Sequence, residues 1–152
     1  MSQTQNKISV SPQGEAFPLP ELSDYAAESE RVKALAEAAR ESGKEVVVVM
    51  GVGFVGAVMA AIVADCEGKD GQPSKFVIGC QRPSTRSFWK IPLLNRGVSP
   101  VKAEDPQVDL LIGRCVLDKK TLIATYNSQV LDLADCVVID VQCDFLKQEL
   151  GN

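Results

Sequence analysis

The chain contains no histidine, and its five cysteines (Cys66, Cys80, Cys115, Cys136 and Cys143) form no Cys-x-x-Cys pair. Zinc sites of mixed Cys/His type and any catalysis that needs imidazole are thereby excluded, and no metal site is expected. Basic residues are outnumbered: 16 Lys and Arg stand against 20 Asp and Glu, for a net charge of −4, which argues against a general nucleic-acid surface. The apolar stretch 46–66 includes Gly51, Gly53 and Gly56 and opens on a β-branched run, so it makes a poor membrane span. The opening Met1-Ser-Gln-Thr-Gln-Asn-Lys7 has no signal-peptide core, and a cytoplasmic location is expected. Most cysteines fall at the ends of apolar segments and read as small core residues in a reducing compartment, not as a catalytic thiol.

What is present is the composition of a soluble globular domain. The 152 residues are 45% hydrophobic and 24% charged, enough for one unit with a real core. The most informative segment is Val46-Val-Val-Val-Met-Gly-Val-Gly-Phe-Val-Gly56, a buried strand entering a glycine turn, followed by the apolar helix Ala57-Val-Met-Ala-Ala-Ile-Val-Ala-Asp65. Gly51, Gly53 and Gly56 satisfy Gly-x-Gly-x-x-Gly, with Val52, Phe54 and Val55 between them. The first glycine turns the chain sharply out of the strand. The second leaves room for a pyrophosphate, and the third lets the helix pack close to the sheet. Exposed N–H groups and the positive end of the helix dipole then favour a diphosphate.

Residues 1–20, with Pro12, Pro18 and Pro20 and no sustained periodicity, read as a flexible arm; residues 21–152 read as the folded unit. Ser23 or Asp24 caps a helix over 23–42, which Gly43 ends, with Val32, Leu35, Ala36 and Ala39 on one face. Strands are expected at Glu45 to Met50, Lys75 to Cys80, Thr121 to Thr125 and Cys136 to Val141. Helices are expected from Phe88 to Leu94, from Asp105-Pro106 through Cys115, and from Ser128 to Ala134. Strands alternating with helices imply an α/β fold: a Rossmann-type, doubly wound, mostly parallel sheet in three α/β/α layers, with an extra N-terminal helix.

Four segments fall in a familiar order: Gly51-Val-Gly-Phe-Val-Gly56, Leu94-Asn-Arg-Gly-Val-Ser-Pro100, Glu104-Asp-Pro106 and Ala134-Asp-Cys-Val-Val-Ile139. Together they resemble the N-terminal NAD-binding domain of the UDP-glucose/GDP-mannose (nucleotide-sugar) dehydrogenase family, over residues 45 to about 142. The resemblance implies NAD-dependent oxidation of the C6 alcohol of a UDP- or GDP-sugar to the carboxylate, in two hydride transfers, in polysaccharide biosynthesis. It implies a nucleotide-sugar substrate for the full-length protein and admits a homo-oligomer. The family's cysteine nucleophile, with its lysine and asparagine partners, belongs to later segments that this chain does not contain. No catalytic residue is therefore assigned here, and the chain is expected to bind cofactor without turning over sugar.

Three departures shape the expected site. The family's second strand ends in an acidic residue that bonds the adenosine ribose; here Gln81 and Arg82 follow Cys80. Gln81 can bond a ribose hydroxyl without charge. Arg82, with Ser84, Thr85 and Arg86, can meet a 2′-phosphate, or can sit on a solvated loop. Family habit points to NAD and local chemistry to NADP, and both stay open. After the fourth strand the family's Gly-Thr-Pro is replaced by Gln142-Cys-Asp144, which makes Gln142 a candidate cofactor contact. Thr125 ends the third strand at another ligand-facing position. Asn127 is equally explained as a helix cap, and nothing places Asp135 or Asp140 within reach of a substrate proton. Phe88 and Trp89 read as core ahead of adenine contacts. A non-catalytic module that senses nucleotide, or another oxidoreductase of the same fold, remains an alternative.

Overall fold

The computed structural model describes residues 7–140. Four parallel strands form the central sheet: β3 (Glu45–Met50), β4 (Lys75–Cys80), β5 (Leu122–Thr125) and β6 (Cys136–Ile139), in the spatial order β5-β4-β3-β6. The register pairs Val47 with Val77 and Val49 with Gly79 on one side of β3, and Val48 with Val137 on the other. This is the 3-2-1-4 part of the 3-2-1-4-5-6 strand order of a Rossmann fold, so its topological switch point lies between β3 and β6. β3, β4 and β5 are buried runs rich in Val, Ile, Leu or Ala, as strands covered on both faces require, whereas edge strand β6 is apolar but largely exposed among the described residues.

One face carries α1 (Asp24–Glu41) and the 3-10 turn Ser128–Leu133. Val32, Ala36 and Ala39 meet Val46, Val48, Phe76 and Ile78 there. The other face carries α2 (Phe54–Ala64), α3 (Lys90–Asn95) and α4 (Gln107–Gly113). Ala57, Ala60, Ala61 and Ala64 pack on Val47, Val49 and Val77. The row of alanines brings α2 close to the sheet. These two clusters make the three expected layers.

Several elements differ in detail from the sequence expectation. The helix expected from Asp105 to Cys115 is α4, which then widens into a π-helical turn over Arg114–Asp118. The helix expected from Phe88 begins at Lys90, after a tight turn in which Phe88 N–H bonds Ser84 C=O at 2.9 Å. The N-terminal segment, expected as an irregular arm, pairs over β1 (Ile8–Val10) and β2 (Ala16–Pro18) into an antiparallel hairpin. Its three-residue strands are too short for a periodic pattern to declare them. The hairpin is seated by tertiary contacts: the Ser9 hydroxyl accepts Trp89 N–H at 3.1 Å, and Glu15 takes two bonds from Arg96 at 2.8 and 3.0 Å. No helix among the described residues is long and apolar enough to cross a membrane.

Edge strand β5 is closed by a side chain. Asn95 accepts Ala124 N–H at 2.7 Å and donates to Ala124 C=O at 3.0 Å, in the manner of a fifth strand. This explains the asparagine of Leu94-Asn-Arg physically: an amide carries one donor and one acceptor at the spacing of a backbone unit.

Candidate dinucleotide site at the carboxyl edge of the sheet

β3 ends at Met50, and the chain turns at once. Gly51 has φ +98°, a conformation side-chain-bearing residues rarely adopt, and its N–H bonds Cys80 C=O at 2.8 Å. A Cβ on Gly56 would lie 2.0 Å from Gly51 O, so only glycine lets α2 start this close to the strand it leaves. Gly53 differs: at φ −74° and ψ −159° it has an extended backbone open to any residue. Nothing in its own conformation calls for glycine.

The amide groups of the turn divide into two sets. Three are taken by protein: Gly51 N–H by Cys80 C=O, Val52 N–H by Gln81 Oε1 at 3.1 Å, and Gly56 N–H by Asp140 Oδ2 at 2.9 Å. The N–H groups of Gly53, Phe54 and Val55 have no acceptor among the described residues. Three consecutive donors at the head of an 11-residue helix make a cradle for an anion with more than one acceptor oxygen. They sit at the switch point between β3 and β6.

At the ends of β3 and β4 lies a hollow of about 480 Å³ lined by Tyr25, Met50, Cys80, Arg82, Pro83, Tyr126 and Ser128. Its lining has two tyrosine rings, packed edge to face at 5.1 Å, one guanidinium and no carboxylate. Arg82 is exposed and makes no ion pair among the described residues. Larger hollows exist elsewhere: about 650 Å³ between the hairpin tip and the 97–102 loop, and about 670 Å³ along the outer side of α2. The second of these is lined by Phe54 and Val55 of the glycine turn, whereas the 480 Å³ hollow meets the turn only at Met50, the residue before it.

The sequence-expected residues are distributed unevenly. Gly51 to Gly56 form one compact turn, with Gln81 beside it. Gln81 has spent its carbonyl oxygen on the turn itself, which leaves its amide NH₂ as the group available to a ribose. Thr125 points away from the crevice: fully buried, its hydroxyl donates to Glu28 Oε1 at 2.7 Å and meets Asn127 N–H at 3.3 Å. Glu28, held also by Arg31, has its carboxyl pKa lowered; burial opposes the shift, but the bonds from Arg31 and Thr125 prevail. The Thr125 hydroxyl thus ties β5 to α1. Asn127 caps the 3-10 turn, accepting Gln129 N–H at 3.1 Å. Gln142 and Cys143 lie outside the described residues. Phe88 packs against the core beneath α2, whereas Trp89 is bound to Ser9 and to Arg86 C=O.

Asp135 is structural: it accepts Val46 N–H at 2.8 Å and pairs with Arg40, and the Val46 bond leads in holding its carboxyl below the ordinary range. Cys80 and Cys115 are buried, and burial pushes each thiol up to about 11, so neither is a ready nucleophile. Cys66 and Cys136 are exposed, contrary to the expectation that cysteines here are core residues. Sequence reasoning missed the bond from Gly56 to Asp140. A carboxylate directly after the strand that neighbours the glycine turn was the available signal.

One solved structure, the NDP-N-acetyl-D-galactosaminuronic acid dehydrogenase from Methanosarcina mazei Go1, matches at 33% identity and a TM-score of 0.58, over 71% of this chain and 22% of that one. This chain resembles the nucleotide-sugar dehydrogenases. A UDP-glucose dehydrogenase from the hyperthermophilic archaeon Pyrobaculum islandicum shares the fold at 20% identity and a TM-score of 0.52, over 64% of this chain and 20% of its own. The chain thus spans about a fifth of the length of either dehydrogenase. No protein-family model and no curated protein matches it. The likeness to these dehydrogenases supports an oxidoreductase relationship and a dinucleotide-binding domain.

Proposed function

We propose that this chain is the cofactor-binding part of an NAD(P)-dependent nucleotide-sugar 6-dehydrogenase. The observation that carries the reading is the set of amides on Gly53, Phe54 and Val55 left without an acceptor among the described residues, at the switch point of a chain that matches a nucleotide-sugar dehydrogenase at 33% identity over 71% of its length. Those amides would hold the diphosphate, with Gln81 and Arg82 on the adenosine side. The cofactor would supply the hydride chemistry, and residues of this chain would bind and orient it. Binding without turnover is part of the proposal, as is a substrate of the UDP- or GDP-sugar class oxidised at C6. A cytoplasmic setting and a role in polysaccharide biosynthesis belong to the same reading.

A specific observation favours NADP beside NAD. The adenosine-side hollow offers the Arg82 guanidinium and lacks the carboxylate that would repel a 2′-phosphate. Calorimetric titration with NAD, NADP and ADP-ribose tests both points. Saturable binding of at least one dinucleotide is expected, with NADP at least equal to NAD. Gly53→Val should abolish binding while circular dichroism and thermal melting still report a folded chain, because a branched side chain would occupy the space proposed for the diphosphate. Retention of affinity in Gly53→Val would remove the diphosphate from this turn.

A further inference from the structure

We infer that Asp140 is an affinity-setting residue of the proposed dinucleotide site: a resident carboxylate on the helix head that repels the diphosphate and holds affinity down. The inference rests on the dinucleotide reading above and adds a residue to it.

The geometry is specific. Asp140 follows β6 directly, and its own N–H bonds Met50 C=O at 3.0 Å, which continues the β3–β6 ladder one step past the strand. That bond fixes its backbone against the glycine turn: a Cβ on Gly51 would touch Asp140 C=O at 3.0 Å. From there the side chain reaches Gly56 N–H at 2.9 Å, and Oδ2 would lie 3.0 Å from a Cβ on Gly56. The carboxylate is thus lodged between the turn and the third amide of α2. It is next to the free donors of Gly53, Phe54 and Val55 along one helical turn.

Such a placement has two consequences. A negative charge at the head of α2 offsets the helix dipole that would otherwise attract an anion. It also repels a dinucleotide's diphosphate, which carries two negative charges, across a few ångströms of partly desolvated space. α2 has no acidic residue of its own in its first turn, so Asp140 is the carboxylate at this helix head. The side chain does not contact any cation among the described residues that would neutralise it. The arrangement therefore allows dinucleotide to bind through three amides while keeping the complex weak enough to release.

The test is Asp140→Asn. Its carbonyl oxygen can still accept Gly56 N–H, so the bond is kept and the charge alone is removed. Asp140→Ser serves as a second neutral variant, with thermal melts confirming that each folds. Titration of the full chain with ADP-ribose and with NAD is expected to show tightening on the order of ten-fold in either neutral variant at low salt. The gain should shrink as salt is raised, which a purely structural effect of the substitution would not do. Equal or weaker binding by the folded variants, or a gain indifferent to salt, overturns the role of Asp140 and leaves the dinucleotide site standing. If neither the wild-type chain nor the variants bind ADP-ribose or NAD at all, both readings fall.

Discussion

Helix α1 carries Asp24 in its first turn and Arg40 in its last, the charges that its own dipole favours. Helix α2, on the opposite face of the sheet, has no acid in its first turn and no base in its last. Its ends are completed from afar: Asp140 accepts Gly56 N–H at the head, and Asp65 at the C-cap is held by Arg114 and Lys119. The flanks differ in the same way. α1 buries Val32, Ala36 and Ala39 and turns most of its charges, Glu28 excepted, to water, whereas α2 buries four alanines and still exposes Phe54, Val55 and Ile62. An amphipathic helix with matching end charges carries its dipole compensation in its own sequence. An apolar one with bare ends depends on partners elsewhere in the chain, and there a binding function and a stability requirement share the same residues.

The comparison breaks most sharply at Gly56. Gly56→Ala puts a Cβ 2.0 Å from Gly51 O, and should cost about 3 kcal/mol or more together with dinucleotide binding, read by denaturant unfolding and titration. On α1 the matching change is Val32→Ala, at a fully buried position facing the sheet. A loss of about 2 kcal/mol is expected there, with ligand affinity unchanged in the folded protein. If Val32→Ala weakened binding as much as stability, the two faces would not be separable. The smallest effect should come from the far end of α2. Hydrogen bonding from Arg114, then from Lys119, lowers the Asp65 carboxyl from 3.8 to about 2. A depressed carboxyl stabilises the fold above its unfolded value and loses that contribution as pH falls from about 4 through about 2. Asp65→Asn should therefore cost about 1 kcal/mol at neutral pH, after allowance for solvent screening, and flatten the acid limb of the stability profile. An unchanged acid limb would detach Asp65 from the stability of α2.

Much of this molecule was legible before any coordinates. The strands around Val46–Val49 and Phe76–Ile78 announce themselves as β-branched or apolar runs. The turn from Gly51 to Gly56 reads correctly as a strand-to-helix junction because Gly51 and Gly56 each answer a separate steric demand. The hairpin at Ile8–Pro18 was not legible, since three-residue strands have no period and are seated by Ser9, Glu15 and Trp89. Thr125 was misleading for a related reason. A strand-end threonine is ligand-facing by position, but its hydroxyl found Glu28 on a helix 97 residues earlier.

Local chemistry alone decided that a β-branched strand would run into a glycine turn and an apolar helix, because φ/ψ limits and hydrophobic periodicity act over a few neighbours. Which of that turn's amides would be taken by distant side chains was decided only when β6 docked beside β3 and brought Asp140 onto Gly56, and when β4 brought Gln81 onto Val52. Hydrogen bonds between groups 84 and 29 residues apart depend on strand order and register, and no short window of sequence encodes those.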